Sequence, residues 1–63
     1  VVLEDSPSGI GSGLAAGTRV VAIPCIVPLP AQDGLSRIGS AADLNIPLLK
    51  EIAAGSVVDW LDD

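Results

Sequence analysis

The sequence contains no histidine, one cysteine (Cys25) and one aromatic residue (Trp60). A single cysteine cannot form an internal disulfide bond, and without histidine it provides no ligand set for a structural zinc ion. A chain of 63 residues buries only about 60% of the surface that its unfolded form exposes, so it is marginally stable without such crosslinks. The usual means of stabilising so small a domain are therefore absent.

Basic residues are also scarce, with three against eight acidic ones and a formal net charge of −5. Because the phosphate backbone binds basic surfaces, this composition excludes nucleic acid as a partner. The longest apolar stretch, residues 20–30, is interrupted by prolines and is too short to span a bilayer. The sequence does not open with the charged and apolar regions of a signal peptide. Together with the unpaired cysteine, these features predict a cytoplasmic protein with no membrane partner.

What the sequence does contain is a large apolar fraction, 49% of its residues. This fraction is much higher than in disordered chains. The first residue is Val1, which lies inside an apolar run. We therefore expect this chain to be a segment of a larger hydrophobic core, with the remainder of that core as its binding partner.

The first third of the sequence predicts a strand, a helix and a second strand. Val1–Leu3 is a continuous β-favouring run, typical of a strand covered on both faces. Ser6 suits a helix N-cap because a proline follows it at the first helical position. We expect a helix over Pro7–Ala16 that ends at Gly17. With a buried strand over Arg19–Ile23, this forms a strand-helix-strand unit, which implies a parallel pair.

The remaining residues predict shorter elements. Three prolines exclude a continuous ladder over Pro24–Gly34, which we expect to be a loop. An edge strand is expected over Leu35–Ile38, then a capped turn with Ser40 as N-cap and Asp43 at N3. A final helix is expected over Pro47–Ala54. The predicted fold class is α/β, with part of a Rossmann-like parallel sheet.

Several single residues have structural interpretations. Cys25 is predicted to be a buried, unreactive thiol, since no histidine is present to activate it. Trp60 is predicted to be a packing anchor within the segment 56–61, which fits either a strand or a docking tail. The basic residues are predicted to be isolated surface charges: Arg19, Arg37 and Lys50.

Two adjacent carboxylates, Glu4 and Asp5, follow the first predicted strand. Ligands of open parallel sheets bind beyond the carboxyl ends of the strands. Mg²⁺ prefers hard oxygen ligands and takes one or two carboxylates, so a metal site is one interpretation. The other is that Asp5 caps the helix and Glu4 is solvated, since the helix dipole favours both acids. The neighbouring glycines match neither phosphate-binding glycine motif.

The stretch VVLEDSPSGIGSGLAAGTRVVAIP, residues 1–24, resembles the fourth motif region of the haloacid-dehalogenase-like (HAD) hydrolases. The resemblance is to the branch that contains phosphoglycolate-phosphatase-like and β-phosphoglucomutase-like enzymes. That pattern has an apolar strand, E-D-S, G-I, an alanine-rich helix ending in A-A-G, and a strand ending near proline. Residues 35–54 are compatible with the family's edge strand, serine-led turn and last helix. The matching positions are Val1–Leu3, Glu4–Ser6, Gly9–Ile10, Ala15–Gly17 and Arg19–Pro24.

The resemblance implies a Mg²⁺ cofactor held by Glu4 and Asp5, with Asp5 as a direct ligand and Glu4 binding directly or through water. Ser6 would hydrogen-bond near the metal or near a catalytic lysine. The implied activity is a Mg²⁺-dependent phosphatase or phosphomutase that acts on a small phosphorylated metabolite through an aspartyl-phosphate intermediate.

The sequence departs from the family in what it lacks: the D-x-D motif with its nucleophile, the second-motif Ser/Thr, the third-motif lysine and the cap segment. The resemblance therefore implies that residues 1–63 are the C-terminal portion of a HAD-like core, with no catalytic residue and no activity of their own. Two alternatives are a structural remnant, in which Glu4 and Asp5 only cap a helix, and an interaction module that folds on a partner chain.

Overall fold

A three-stranded parallel sheet organises the structure, a computed structural model that describes residues 1–25 and 27–61. The strand order is β1-β2-β3, with Val2 opposite Val20 and Val21 opposite Ser36. The α/β class and the parallel strand-helix-strand unit predicted from the sequence are thereby confirmed. The strands are β1 (Val2–Glu4), β2 (Val20–Ala22) and β3 (Ser36–Arg37).

Helix α1 (Pro7–Ala15) connects β1 to β2. It begins as predicted, because the Ser6 hydroxyl oxygen accepts a hydrogen bond from the Gly9 N–H at 3.2 Å. It ends at Gly17, whose φ of 77° is the left-handed conformation that glycine adopts readily. The Thr18 N–H then reaches back to the Gly13 carbonyl at 3.1 Å, which completes a Schellman-type C-cap.

Helix α2 (Ile46–Ala53) starts one residue earlier than predicted. Its N-cap is Asn45, whose Oδ1 accepts from the Leu48 N–H at 2.8 Å. The predicted turn after Ser40 is a short 3-10 helix, Ala41–Asp43, whose cap bond comes from the Ala42 N–H. No helix in the described part of the chain has the length and apolar character needed to cross a membrane.

The two faces of the sheet pack against different helices. β2 is covered on both faces, with every residue at most 1% exposed. Strand alternation directs Val20 and Ala22 toward α1 and Val21 toward α2. The α1-side cluster contains Ile10, Val20, Ala22, Leu29 and Leu35, and the α2-side cluster contains Val21, Ile38, Leu48 and Ile52.

β1 is less covered than the sequence predicts. Leu3 is 49% exposed, and Val1 before it is 51% exposed. The prediction of a strand buried on both faces was therefore wrong for the described chain. The physical reason is that α2 packs over Val21 and Ile38 and leaves an open groove beside Val1 and Leu3.

The C-terminal segment lies beside β3 as an extended chain. Arg37 bridges to Asp59 in parallel, the Arg37 N–H donates to the Val58 carbonyl at 2.8 Å, and the Trp60 N–H donates to the Arg37 carbonyl at 2.9 Å. The segment forms one isolated bridge, at Asp59, and no strand, as expected of the docking tail rather than of the strand. β3 forms within the predicted range, but the segment covers its outer edge.

Two predictions about side chains in this region are wrong. Arg37 is not a surface charge. It is 2% exposed, and its guanidinium donates hydrogen bonds to Asp59 and to the Leu29 carbonyl. Trp60 is not a packing anchor, since it is 55% exposed. Val58 packs against the α2-side cluster instead.

Two glycines of α1 are expected to respond oppositely to alanine. A Cβ at Gly13 would lie 2.6 Å from Cγ2 of Val20, whereas at Gly11 it would meet nothing within 4 Å. We expect Gly11→Ala to stabilise the fold by about 0.5–1 kcal/mol through helix propensity. Gly13→Ala should instead destabilise it by about 1–2 kcal/mol through overpacking. Urea unfolding followed by circular dichroism measures both, and equal effects would refute close packing of α1 on β2.

Candidate metal centre

The adjacent carboxylates lie at the carboxyl edge of the sheet, as the sequence predicts. Glu4 is the last residue of β1 and Asp5 follows it directly. The Ile23 N–H donates to the Glu4 carbonyl at 2.9 Å, which ties the end of β1 to the end of β2. A cleft of about 410 Å³ opens here and is lined by Leu3, Glu4, Asp5, Ile23 and Cys25.

The Glu4 side chain is positioned by the first turn of α1. Its carboxylate lies directly against Gly9, where a Cβ would overlap Oε1 and approach Oε2 to 2.9 Å. Glu4 is half-buried as a result. A Cβ at this position would therefore require the Glu4 side chain to move. This contact was not predicted from the sequence, where its signal was a glycine early in the helix, five positions after an acid.

Ser6 supplies the cap of α1. Its Oγ accepts the Gly9 N–H, and its φ of −128° and ψ of 149° are those of an N-cap residue. Because Ser6 occupies this position, the first turn of α1 contains no acidic residue, and Asp5 lies before the cap and is exposed. Helix capping thus accounts for Ser6 and does not account for Asp5.

Stability measurements on two variants check this assignment. We expect Ser6→Ala to lower the free energy of unfolding by about 1 kcal/mol, because the Gly9 N–H loses its acceptor. Asp5→Asn should change it by less than about 0.5 kcal/mol, as for an exposed side chain outside the cap. Urea unfolding gives both values. A larger loss of unfolding free energy for Asp5→Asn than for Ser6→Ala would show that Asp5, and not Ser6, caps the helix.

Cys25 is exposed and lies in the cleft, so the prediction of a buried thiol was wrong. The chain leaves the sheet after Ala22, and Pro24 prevents a continuing ladder. Cys25 consequently lies beyond the two packed faces.

The donor atoms in the cleft are of the type that a magnesium ion prefers. Glu4 and Asp5 contribute carboxylate oxygens, and Mg²⁺ is usually held by one or two carboxylates together with water and substrate phosphate. Within residues 1–25 and 27–61 there is no group of three or more His, Cys, Asp or Glu side chains arranged for a metal ion. The remaining ligands of a bound Mg²⁺ would therefore be water, substrate or protein groups beyond the described residues.

Comparison with known proteins finds no matching family model, no matching curated protein and no matching solved structure.

Proposed function

We propose that this chain provides the metal-binding wall of a Mg²⁺-dependent, HAD-like phosphatase or phosphomutase that acts on a small phosphorylated metabolite. The observation that carries the proposal is the placement of Glu4 and Asp5. Both line one cleft at the carboxyl edge of a parallel sheet, while Ser6 alone caps the helix that follows. The residue pattern E-D-S-x-x-G-I over positions 4–10 supports the same assignment.

Each residue of the pattern has a separate task in this proposal. Asp5 is the direct ligand because its side chain is exposed in the cleft. Glu4, whose carboxylate lies against Gly9, is the second ligand or acts through water. Ser6 orients the first turn of α1 and so keeps the two acids side by side. A bound Mg²⁺ supplies positive charge that offsets the negative charge of the substrate phosphoryl group.

The nucleophile must come from outside residues 1–63. In the proposed reaction an aspartate carboxylate attacks phosphorus, the bond from phosphorus to the metabolite oxygen breaks, and that oxygen takes a proton. Water then hydrolyses the aspartyl phosphate, or a second metabolite hydroxyl accepts the phosphoryl group in a mutase. The sequence contains no D-x-D motif that would provide this aspartate. This chain would then be the C-terminal portion of the core.

An apolar groove beside β1 supports the presence of further core structure. It has a volume of about 440 Å³ and adjoins the candidate cleft through the shared residue Leu3. Leu3 of β1 is also 49% exposed on this face, although parallel sheets are almost always covered on both faces. The remainder of the core would cover both features. The groove is lined by Val1, Leu3, Ile46, Leu49, Lys50 and Ala53.

The same exposed groove favours the second candidate, an interaction module that folds against a partner chain. The two candidates differ in what Mg²⁺ does. The first requires Mg²⁺-dependent hydrolysis of phosphate esters, and the second requires none.

The experiment is an assay of the complete protein against a panel of small phosphate esters, with Mg²⁺ varied. The proposal expects phosphate release that requires Mg²⁺ and a protein-bound phosphoryl group that hydroxylamine removes, as it does from an acyl phosphate. Absence of both, together with tight association of a partner chain, would favour the interaction module.

A further inference from the structure

The Arg37 guanidinium joins three separate segments of the chain. Its Nε and Nη2 donate to the two carboxylate oxygens of Asp59, each at 3.0 Å. Its Nη1 donates to the Leu29 carbonyl at 2.9 Å. The side chain is only 3% exposed. Arg37 itself belongs to β3, so strand, loop and C-terminal segment meet at one buried charge.

The loop contacted by Arg37 is the proline loop, by which we mean residues 24–25 and 27–30. It contains three prolines, which lack the N–H needed to fix a loop through its own backbone donors. Leu29 anchors it in two ways: its side chain is 3% exposed within the α1-side cluster, and its carbonyl accepts from Arg37. At the other end of the same loop, Cys25 lines the candidate cleft.

The C-terminal segment contacted by Arg37 is the C-terminal strap, residues 57–61. Asp59 binds the guanidinium with both oxygens, and the Val58 N–H donates to the Ser36 hydroxyl at 3.0 Å. Loss of the Asp59 carboxylate removes the two hydrogen bonds that orient Nε and Nη2 of the guanidinium, and so allows the guanidinium to turn. The bond to the Leu29 carbonyl depends on the present orientation, so it cannot survive that movement unchanged.

We propose that the C-terminal strap holds the proline loop in place through Arg37, and so controls the wall of the cleft that Cys25 forms. The coupling is conformational: Asp59 fixes the guanidinium, and the guanidinium fixes the Leu29 carbonyl. Release of the strap therefore loosens the proline loop before it disturbs the pairing of β1 with β2. This inference does not depend on the proposed enzymatic function.

The test is Asp59→Asn, which keeps the side-chain size but removes the charge and one carboxylate oxygen. The measurement is the ¹⁵N backbone order parameter at Cys25, Val27 and Leu29. We expect a fall from roughly 0.85 toward 0.6, the range that separates rigid from flexible backbone. The control is Asn45→Ala, which removes the cap of α2 and should leave these order parameters unchanged. Unchanged values in Asp59→Asn, or an equal fall in the control, would overturn the proposal.

A measurement on the unaltered protein covers the case in which Asp59→Asn does not fold. Trp60 fluorescence reports on the strap, and the Leu29 methyl resonances report on the loop. In a urea titration we expect both signals to change at the same urea concentration. If Trp60 changes while the Leu29 methyl resonances keep their folded positions, the strap does not hold the loop and the proposal is wrong.

Discussion

The Asp5→Asn variant of the complete protein is expected to lose Mg²⁺-dependent hydrolysis of phosphate esters by at least about 100-fold. Mutation of the groups that merely support a metal ligand costs 10–100-fold, so loss of a direct ligand should cost no less. The amide keeps the size of the side chain but removes the negative charge that a hard cation requires. Because Asp5 is exposed and outside the helix cap, the fold should be retained.

The matched control is Asp33→Asn, which removes the same charge from an exposed loop position. Asp33 precedes Gly34, and asparagine is well accepted in such turns. We expect full activity in this variant at every Mg²⁺ concentration. The measurements are initial rates against Mg²⁺ concentration for the two variants and the parent. An Asp5→Asn protein that hydrolyses the ester at the parental rate would eliminate Asp5 as a ligand.

Asp59→Ala is expected to have the largest effect on stability. Removing one partner of a buried ion pair costs about 3–5 kcal/mol, and the partial exposure of Asp59 reduces this to about 2–3 kcal/mol. The Asp59 side chain is 36% exposed, whereas that of Arg37 is 3% exposed. A domain of this size has a total stability of only about 3–9 kcal/mol, so this one substitution should remove roughly a quarter of it or more.

Two further variants test whether the loss comes from the ion pair between Arg37 and Asp59. Glu51→Ala removes an exposed acid from α2 and should change stability by less than about 0.5 kcal/mol. The double variant Arg37→Met, Asp59→Leu leaves no buried charge and should be more stable than Asp59→Ala alone. Urea unfolding midpoints, measured by circular dichroism, give the order of stability of the three variants. Equal midpoints for Asp59→Ala and Glu51→Ala would show that the ion pair contributes little.

Local signals explain why the elements themselves could be predicted. Ser6 followed by proline, and Gly17 after an alanine run, mark the two ends of α1 within a few residues. These caps are interactions over three to five positions, so they can be recognised in the sequence alone. The α2 boundary was one residue off because Asn45 also caps well.

Interactions across long sequence separations could not be predicted in this way. Arg37 and Asp59 are 22 positions apart, and no local sequence pattern around either residue indicates that the two are paired. The one available signal was the position of Arg37 between Leu35 and Ile38, within a stretch expected to be a strand. The exposure of Leu3 had the same origin, because a β-favouring run does not reveal what packs on each face of the strand.

The acidic residues of the candidate site could be predicted, but the contacts that position them could not. Glu4 and Asp5 could be placed at the carboxyl edge of a sheet from the order of strand and helix alone. The contact of the Glu4 carboxylate with Gly9 needed the structure, since it depends on how α1 packs over the end of β1. The entry of Cys25 into the cleft likewise depends on the path of the chain after Pro24.

The most direct test of the account is a Mn²⁺ titration of the ¹⁵N-labelled protein, with Mn²⁺ as a paramagnetic substitute for Mg²⁺. We predict that the amide signals of Glu4, Asp5 and Cys25 broaden first and that excess Mg²⁺ restores them. Asp5→Asn should remove this selective broadening, and Asp33→Asn should keep it. Broadening that begins elsewhere, or that spreads evenly over the acidic residues, would contradict a metal site at the carboxyl end of β1.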